Sequence, residues 1–136
     1  MMLIETFLKE IDKKGISLFT KYPLKEGQVI YEDCDIFSKK FTDSEFDKLS
    51  ANHKEFIRIY GCYIKAHKTW YLDTDNGRFM NHSETPNVTY DWGTYLEGGK
   101  GTMIALKDIP TGTELCSNYR LHSDQFKDTL LFADQV

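Results

Sequence analysis

The sequence has few cysteines. It contains only three, Cys34, Cys62 and Cys116, and they are far apart. An odd number at this spacing argues against a disulfide framework and against a Cys-x-x-Cys zinc site. The four histidines are scattered as well, so no metal cluster is expected. We therefore expect buried thiols and no bound metal.

A long apolar run is also missing. The longest apolar stretches are only a few residues, whereas a membrane-spanning helix needs about 20. The first residues lack the basic start and apolar stretch of a secretory signal. These absences predict no contact with a membrane and an intracellular location, cytoplasmic or, in a eukaryotic host, nuclear.

Positive charge is not in excess. The chain has 17 Lys and Arg residues against 21 Asp and Glu residues, for a net charge of -4 and a pI near 5.5. A phosphate backbone requires clustered positive charge, so direct binding to nucleic acid is not expected. A mildly acidic surface suits a basic peptide, although the same balance is common in ordinary proteins.

The apolar residues that are present suit one small domain. The chain has 136 residues, of which 40 % are hydrophobic and 14 % aromatic, enough for one core spanning 1–136. Short apolar segments between glycine-bearing turns are typical of an all-β structure. The predicted strands are residues 3–7, 16–19, 29–31, 60–66, 69–73, 88–92, 94–96 and 102–106.

Helical patterns occur in two places. Thr42-Asp43-Ser44-Glu45 has the form of a capping box, and the apolar residues after it recur at helical spacing. We expect a helix at 43–51 and another turn at 54–58, within an insert spanning about 41–59. Phe126, Leu130 and Leu131 share one face of a predicted helix at 123–132, part of a C-terminal cap at 122–136.

One stretch is unusually rich in polar side chains. Arg78-Phe79-Met80-Asn81-His82-Ser83-Glu84-Thr85-Pro86-Asn87 carries many side-chain donors and acceptors and one fixed φ. Such a composition is typical of a shaped polar loop.

This stretch resembles the Arg-Phe-x-Asn-His-Ser-x-x-Pro-Asn signature of SET-domain protein-lysine methyltransferases, and two more segments follow the family's order. Residues 112–119 resemble Gly-x-Glu-Leu-x-x-Asp-Tyr, with Asn118 at the aspartate. Residues 15–19 resemble the Gly-x-Gly-Leu-Phe loop, with Ser17 at the second glycine. The family's Tyr-x-Gly motif, expected near 31–34, has no clean counterpart.

The resemblance implies a fold and an activity. The fold would be mainly β: a SET-domain (β-clip) arrangement of several small sheets, with a threaded C-terminal segment and a short helical insert. The activity would be metal-free methyl transfer from S-adenosyl-L-methionine to the ε-amine of a lysine in a protein or peptide, for which a basic substrate is expected. Two alternatives remain open: a catalytically silent SET-like module that binds a peptide or partner, and a small-molecule amine methyltransferase.

The resemblance also implies roles for individual residues. Tyr119 would be the catalytic tyrosine, and Tyr90 would line the lysine channel with it. Asn81 would bond the amino-acid end of the cofactor, and His82 would contact the cofactor and order the loop without transferring protons. The predicted cofactor-binding residues are Gly15, Ile16, Ser17, Leu18, Arg78, Phe79, Asn81 and His82.

Other aromatic and apolar residues have two interpretations. Tyr63, Tyr71 and Trp92 could line the channel, but half-buried strand aromatics are the expected reading. Many relatives close the site with a cysteine-rich zinc segment, and this sequence has no cysteine after Cys116. We expect the apolar face of the final segment, which includes Phe132, to exclude water instead; otherwise it packs outside the domain or mediates a homodimer.

Overall fold

A computed structural model of the chain describes residues 1–91 and 101–122. Its strands are β1 (Thr6–Ile11), β2 (Gly15–Thr20), β3 (Val29–Glu32), β4 (Ser38–Thr42), β5 (Cys62–Ile64), β6 (Thr69–Asp73), β7 (Asn81–His82), β8 (Val88–Asp91), β9 (Thr102–Ala105) and β10 (Cys116–Ser117). The α-helices are α1 (Asp43–Asp47), α2 (Ala51–Tyr60) and α3 (Tyr119–His122), and short 3-10 helices cover Lys65–His67 and Asn76–Phe79. The mainly β prediction is confirmed.

The strands of the described residues form small sheets. β1 pairs antiparallel with β2, β9 lies between β3 and β8, and β6 lies between β4 and β5. The two-residue strands β7 and β10 pair in parallel. Each sheet is too small to bury a core by itself, so the sheets must pack on one another.

The main core lies where these sheets meet. Leu18, Ile30, Val88 and Leu115 are fully buried there. The second half of β2, from Ser17 to Thr20, is buried without a break because residues 113–115 cover it. The Leu115 N–H donates to the Leu18 carbonyl at 2.8 Å. The chain segment before β10 is therefore held against the strand near the N-terminus.

A second apolar cluster fastens the helical insert. The Phe46 ring of α1 stacks on the Trp70 ring of β6 at 4.7 Å, and Ile57 of α2 joins them. The predicted capping box is present: the Glu45 N–H donates to Thr42 Oγ1 at 3.2 Å, and the Thr42 N–H donates to Glu45 Oε1 at 3.1 Å. The insert therefore packs on the sheet formed by β4, β6 and β5.

The helix boundaries differ from the prediction. The first helix was expected at 43–51 but ends at Asp47. A second helix begins because Ser50 caps it, accepting a hydrogen bond from the His53 N–H at 3.4 Å. This helix runs to Tyr60, so it is longer than the predicted turn at 54–58. The expected strand at 60–66 is shortened to Cys62–Ile64.

The first strands also differ from the prediction. The expected strand at 3–7 lies instead at Thr6–Ile11, because the tight turn before Gly15 sets the register of the hairpin and pairs Ile11 with Gly15. Gly15 has a φ of 77°, which favours glycine. β4 was not predicted at all, since the exposed Lys39 and Lys40 hide its apolar pattern.

Some predictions concern residues that the structure does not describe. These are the strand at 94–96 and the C-terminal helix at 123–132. In the two described ranges, no helix combines the length and apolar character needed to cross a membrane.

Candidate active site

Two distant polar segments lie side by side at the candidate site. Asn81 of β7 faces Cys116 of β10, and His82 faces Ser117. Asn87 fastens the pair: its Oδ1 accepts from the Cys116 N–H at 2.9 Å, and its Nδ2 donates to the carbonyl oxygen of Glu114 at 2.8 Å. The polar stretch and the segment leading to Tyr119 are therefore held in one register.

Tyr119 is held at both ends. Its hydroxyl donates to the Met80 carbonyl at 2.5 Å, and its backbone N–H donates to His82 Nδ1 at 3.1 Å. The ring edge meets the His82 ring at 5.3 Å. Burial raises the pKa of Tyr119 above its usual value of 10, so the hydroxyl stays protonated at neutral pH and remains a donor.

His82 connects Tyr119 to surface charges. Because Nδ1 accepts a hydrogen bond, the ring proton belongs on Nε2, which lies 3.2 Å from Glu84 Oε1. The same Glu84 oxygen pairs with the Arg120 guanidinium at 3.0 Å. The hydrogen bond from His82, with a contribution from Arg120, holds the pKa of Glu84 below its usual value. The histidine is 2 % exposed, so this chain of contacts orients a buried ring.

An aromatic pocket opens beside Tyr119. It measures about 650 Å³ with the solvent at its mouth included. Tyrosines line much of it: Tyr31, Tyr60, Tyr71, Tyr90 and Tyr119. The rings of Tyr31 and Tyr90 meet edge to face at 5.9 Å, and burial raises the pKa of Tyr90 well above 10. The pocket therefore combines apolar ring faces with neutral hydroxyl groups.

A second polar cluster surrounds Asn81. Its Nδ2 donates to Ser17 Oγ at 2.8 Å and to Glu114 Oε2 at 3.1 Å. The other Glu114 oxygen pairs with Lys14 at 2.9 Å. Burial acts to raise the pKa of Glu114, but the bonds from Lys14, Asn81 and Ser17 outweigh it, so the pKa lies below its usual value. The cluster presents an amide, a cation and a carboxylate close together.

The Cys116 thiol and the possible metal ligands do not form a further reactive site in the described residues. Burial, followed by the nearby charge of Glu114, raises the pKa of Cys116 to about 12, so this thiol is not activated as a nucleophile. Across residues 1–91 and 101–122, no three His, Cys, Asp or Glu side chains are grouped as metal ligands.

A comparison with protein families bears on this arrangement. The family model described as SET domain matches residues 15–120, which include both paired segments, the pocket tyrosines and the loop at Gly15. The chain belongs to the SET-domain family.

Similar proteins are SET-domain proteins and methyltransferases. The chain is 32 % identical over 124 residues to a variant-silencing SET domain-containing protein of Plasmodium falciparum, with 82 % of this chain and 5 % of that protein covered. It is 29 % identical over 115 residues to the histone-lysine N-methyltransferase NSD3 of Mus musculus, with 81 % of this chain and 8 % of that protein covered. This chain therefore spans only a small part of the curated relatives it matches.

A solved structure supports the same fold. A humanized mutant of the Polycomb Repressive Complex 2 of Chaetomium thermophilum, bound to an inhibitor, matches with a TM-score of 0.63 at 18 % identity. The match covers 89 % of this chain and 15 % of the other. At this identity the likeness establishes the SET-domain fold alone.

The SET-domain fold brings the three predicted motifs together. Ser17 and Asn81 are bonded, and His82 contacts Tyr119. Other residues predicted to bind the cofactor lie in different surroundings. Ile16 is 48 % exposed and accessible, whereas the Leu18 side chain is fully buried in the core, so only its backbone could contact a ligand.

Arg78 and Phe79, which were also predicted to bind the cofactor, lie at the aromatic pocket. The Arg78 guanidinium stacks over the Phe79 ring at 4.7 Å, and Arg78 lines the aromatic pocket. The Phe79 ring also meets the Tyr60 ring at 5.7 Å. Both residues therefore border the pocket that Tyr119 and Tyr90 share.

Two departures from the family pattern have local explanations. Ser17 is fully buried, and its hydroxyl accepts the bond from Asn81, which a glycine could not do. Asn118 Oδ1 accepts from the Arg120 N–H at 3.1 Å, the type of bond that an aspartate makes at the start of a helix. Both replacements therefore form local hydrogen bonds.

The other aromatic residues considered for the channel have different surroundings. Tyr71, expected to be a strand aromatic, lines the pocket. Tyr63 is indeed structural, because it packs on Trp70 at 5.0 Å. Trp92 and the proposed apolar lid, Phe126, Leu130, Leu131 and Phe132, lie outside the described residues.

Sequence reasoning missed most residues of the pocket, including three polar ones. Tyr31 and Asp73 both line it, and so does Tyr60 at the end of α2. The sequence held one local signal for these residues. Asp73 is a carboxylate at the end of a strand in which the alternate residues Trp70 and Leu72 are buried.

Proposed function

We propose that this SET domain transfers a methyl group from S-adenosyl-L-methionine to the ε-amine of a lysine in a protein or peptide. The observation that carries the proposal is the geometry of Tyr119. Its protonated hydroxyl is anchored to the Met80 carbonyl and lies in a tyrosine-lined pocket next to the cluster around Asn81.

The chemistry of the Asn81 cluster supports the cofactor. The amino-acid end of S-adenosyl-L-methionine carries an ammonium and a carboxylate, which suit Glu114 and Lys14. Asn81 and Ser17 add an amide and a hydroxyl. The bound group supplies a methyl on a positively charged sulfur. We assign Gly15, Ile16, Arg78, Phe79 and the backbone of His82 to the same site, with Leu18 restricted to backbone contact.

The aromatic pocket suits the lysine. A free lysine has a pKa of about 10.4, so most lysine side chains are charged and not nucleophilic at neutral pH. Burial among the rings of Tyr90 and Tyr119 favours the neutral amine. The hydroxyl of Tyr119 would orient that amine, and Tyr90 would limit the space for added methyl groups. No metal is required, since positioning and desolvation lower the barrier to the displacement.

The overall charge of the chain suggests a basic substrate. The net charge of -4 favours basic peptides, and one curated relative is named as a histone-lysine methyltransferase. We propose a basic protein as substrate and an intracellular location, with no direct binding of nucleic acid. We also propose that residues 1–136 form a single SET domain.

One observation favours the silent module as a second candidate. Asn81 and Glu114 bond each other, so the polar groups assigned to the cofactor already satisfy one another. In that case the protein would bind a peptide without transferring a methyl group.

Incubation with radiolabelled S-adenosyl-L-methionine and a mixture of basic proteins tests the proposal. We expect label on lysine side chains, located by mass spectrometry, and much less label with the Tyr119→Phe variant. Calorimetry with the cofactor separates the alternatives. Cofactor binding without transfer, or an absence of binding, would favour the silent module.

A further inference from the structure

Two carboxylates share one buried tyrosine at the wall of the pocket. The Tyr31 hydroxyl lies 2.7 Å from Asp73 Oδ1 and 3.0 Å from Asp33 Oδ1. Tyr31 is 3 % exposed, and it belongs to β3, whereas Asp73 ends β6 in another sheet. A hydroxyl has a single proton, so it donates to one carboxylate at a time. Packing of the aromatic rings does not require two carboxylates at the Tyr31 hydroxyl.

The two oxygens of Asp73 differ. Oδ1 accepts hydrogen bonds from the hydroxyls of Tyr31 and Ser38, the latter at 2.8 Å. Oδ2 lies on the side of Gly77, 3.5 Å from the position of a Cβ there, and both residues line the aromatic pocket. Among the described residues, no donor bonds Oδ2. One oxygen is therefore held in place while the other remains available to a ligand in the pocket.

Burial changes the acidity of this pair. It raises the pKa of Asp73 and of Asp33, against the hydrogen bond from Tyr31, and the charge of Asp73 raises the pKa of Asp33 further. The ionisable groups that face or border Asp73 are Tyr31, Asp33, Cys62, Tyr71, Asp75, Arg78, Tyr90, Tyr119 and the amino group of Met1. In such surroundings a carboxylate and an ammonium both favour their neutral forms.

We propose that Asp73 accepts the proton of the substrate ammonium in this pocket, an inference that rests on the proposed function. One N–H bond of the ammonium breaks, its electron pair stays on nitrogen, and the proton bonds to the carboxylate. A neutral amine and a neutral carboxylic acid result. The nitrogen lone pair that forms is the one that attacks the methyl carbon.

The same hydrogen bonds provide an exit for the proton. The neutral carboxyl group of Asp73 first turns about its Cβ–Cγ bond, so that its protonated oxygen faces Tyr31. As it gives that proton to the Tyr31 oxygen, the Tyr31 hydroxyl donates its own proton to Asp33. Burial raises the pKa of Tyr31 far above 10, so Tyr31 must accept and donate together without becoming a phenolate. Asp33 lines a second surface pocket with Asp35 and Lys40, where the proton passes to water.

The Asp73→Asn variant tests the proton acceptor through the pH profile of turnover. We expect kcat at pH 7 to fall about 100-fold, the typical effect of losing a general base. Because solution already supplies neutral amine near the lysine pKa of about 10.4, the deficit should shrink towards pH 10. Glu5→Gln is the control, since it removes a charge from a side chain that is 64 % exposed and lines neither pocket. A loss that is equal at every pH, or no loss, overturns the inference.

A binding measurement separates this inference from the proposed function. Butylammonium and 1-butanol mimic the lysine side chain with and without charge, and both can be titrated by NMR without any cofactor. We expect the wild-type protein to prefer butylammonium, and Asp73→Asn to lose that preference by about tenfold while still binding butanol. Equal preference in the two proteins overturns the inference, even if methyl transfer is observed. A lost preference in a protein that methylates nothing leaves the cation site intact and removes the proposed function.

A second variant covers the case in which Asp73→Asn does not fold. Tyr31→Phe keeps the ring that packs on Tyr90 but removes the hydroxyl that links Asp73 to Asp33. We expect a deficit in kcat of about tenfold at pH 7 that also shrinks towards pH 10. A Tyr31→Phe protein with a wild-type pH profile would contradict the relay.

Discussion

The backbone N–H of Tyr119 donates a hydrogen bond to Nδ1 of His82 at 3.1 Å. The bond places the imidazole proton on Nε2, where Glu84 accepts it. His82 is thus a rigid spacer between a surface carboxylate and the backbone of the tyrosine at the pocket. A histidine with both nitrogens engaged in this way is not available as a general base, which supports the proposal that it contacts the cofactor and orders the loop without transferring protons.

Glu84→Ala should lower turnover without changing cofactor affinity. Glu84 acts as a positioning residue, because loss of its carboxylate frees the His82 ring and loosens Tyr119. We expect kcat to fall about tenfold with KM nearly unchanged, since misplacement affects the transition state more than binding. Glu84→Gln should restore most of kcat, because its amide oxygen can accept from Nε2. Glu55→Ala, which removes an exposed partner of Arg58, is the control.

Tyr119→Phe should retain cofactor binding and lose most turnover. The hydroxyl is assigned to the amine in the transition state and not to the bound cofactor. Single-turnover rates and calorimetry would measure the two effects separately. Near-normal turnover would remove the hydroxyl from the mechanism.

Asn81→Ala should weaken the binding of S-adenosyl-L-methionine. The amide would lose a hydrogen bond to the ligand and leave Glu114 with one partner fewer, at a cost of about 1 to 3 kcal/mol. Calorimetry checks the value, with Asn52→Ala on the exposed face of α2 as the control. An unchanged dissociation constant would exclude Asn81 from the site.

Tyr90→Phe should change the product and leave methyl transfer intact. Its hydroxyl occupies space in the pocket, so removal makes room for a larger methylated amine. We expect a shift towards higher methylation, read as mass increments on the peptide. An identical distribution of methyl states would place Tyr90 outside the channel.

Glu114→Gln should flatten the acid dependence of stability. The pKa of Glu114 is lower in the folded chain than its usual value of 4.5, so its contribution is complete above that value and is lost as the pH falls through the folded pKa. The wild-type protein should therefore lose more unfolding free energy than the variant between pH 6 and pH 3, in urea titrations at each pH. Equal losses in both proteins would mean that Lys14 and Asn81 do not stabilise the carboxylate.

Local patterns predicted the parts of this protein that depend on local chemistry. The capping box at Thr42 and Glu45 formed as expected because both partners lie within one helical turn. The three motifs identified the family because their residues occur in continuous runs. The helix ends were less well predicted, because Ser50 caps a new helix within a stretch whose apolar spacing is helical throughout.

The sequence by itself therefore determined the mainly β class and the SET-domain family, and it selected Asn81, His82 and Tyr119 as candidates for the site. Only the tertiary structure decided what surrounds them. Tyr31 and Asp73 are 42 residues apart and lie in different sheets, yet they share a hydrogen bond at the pocket wall. No periodicity records such a contact, because it depends on how two small sheets pack, and that packing depends on the whole core.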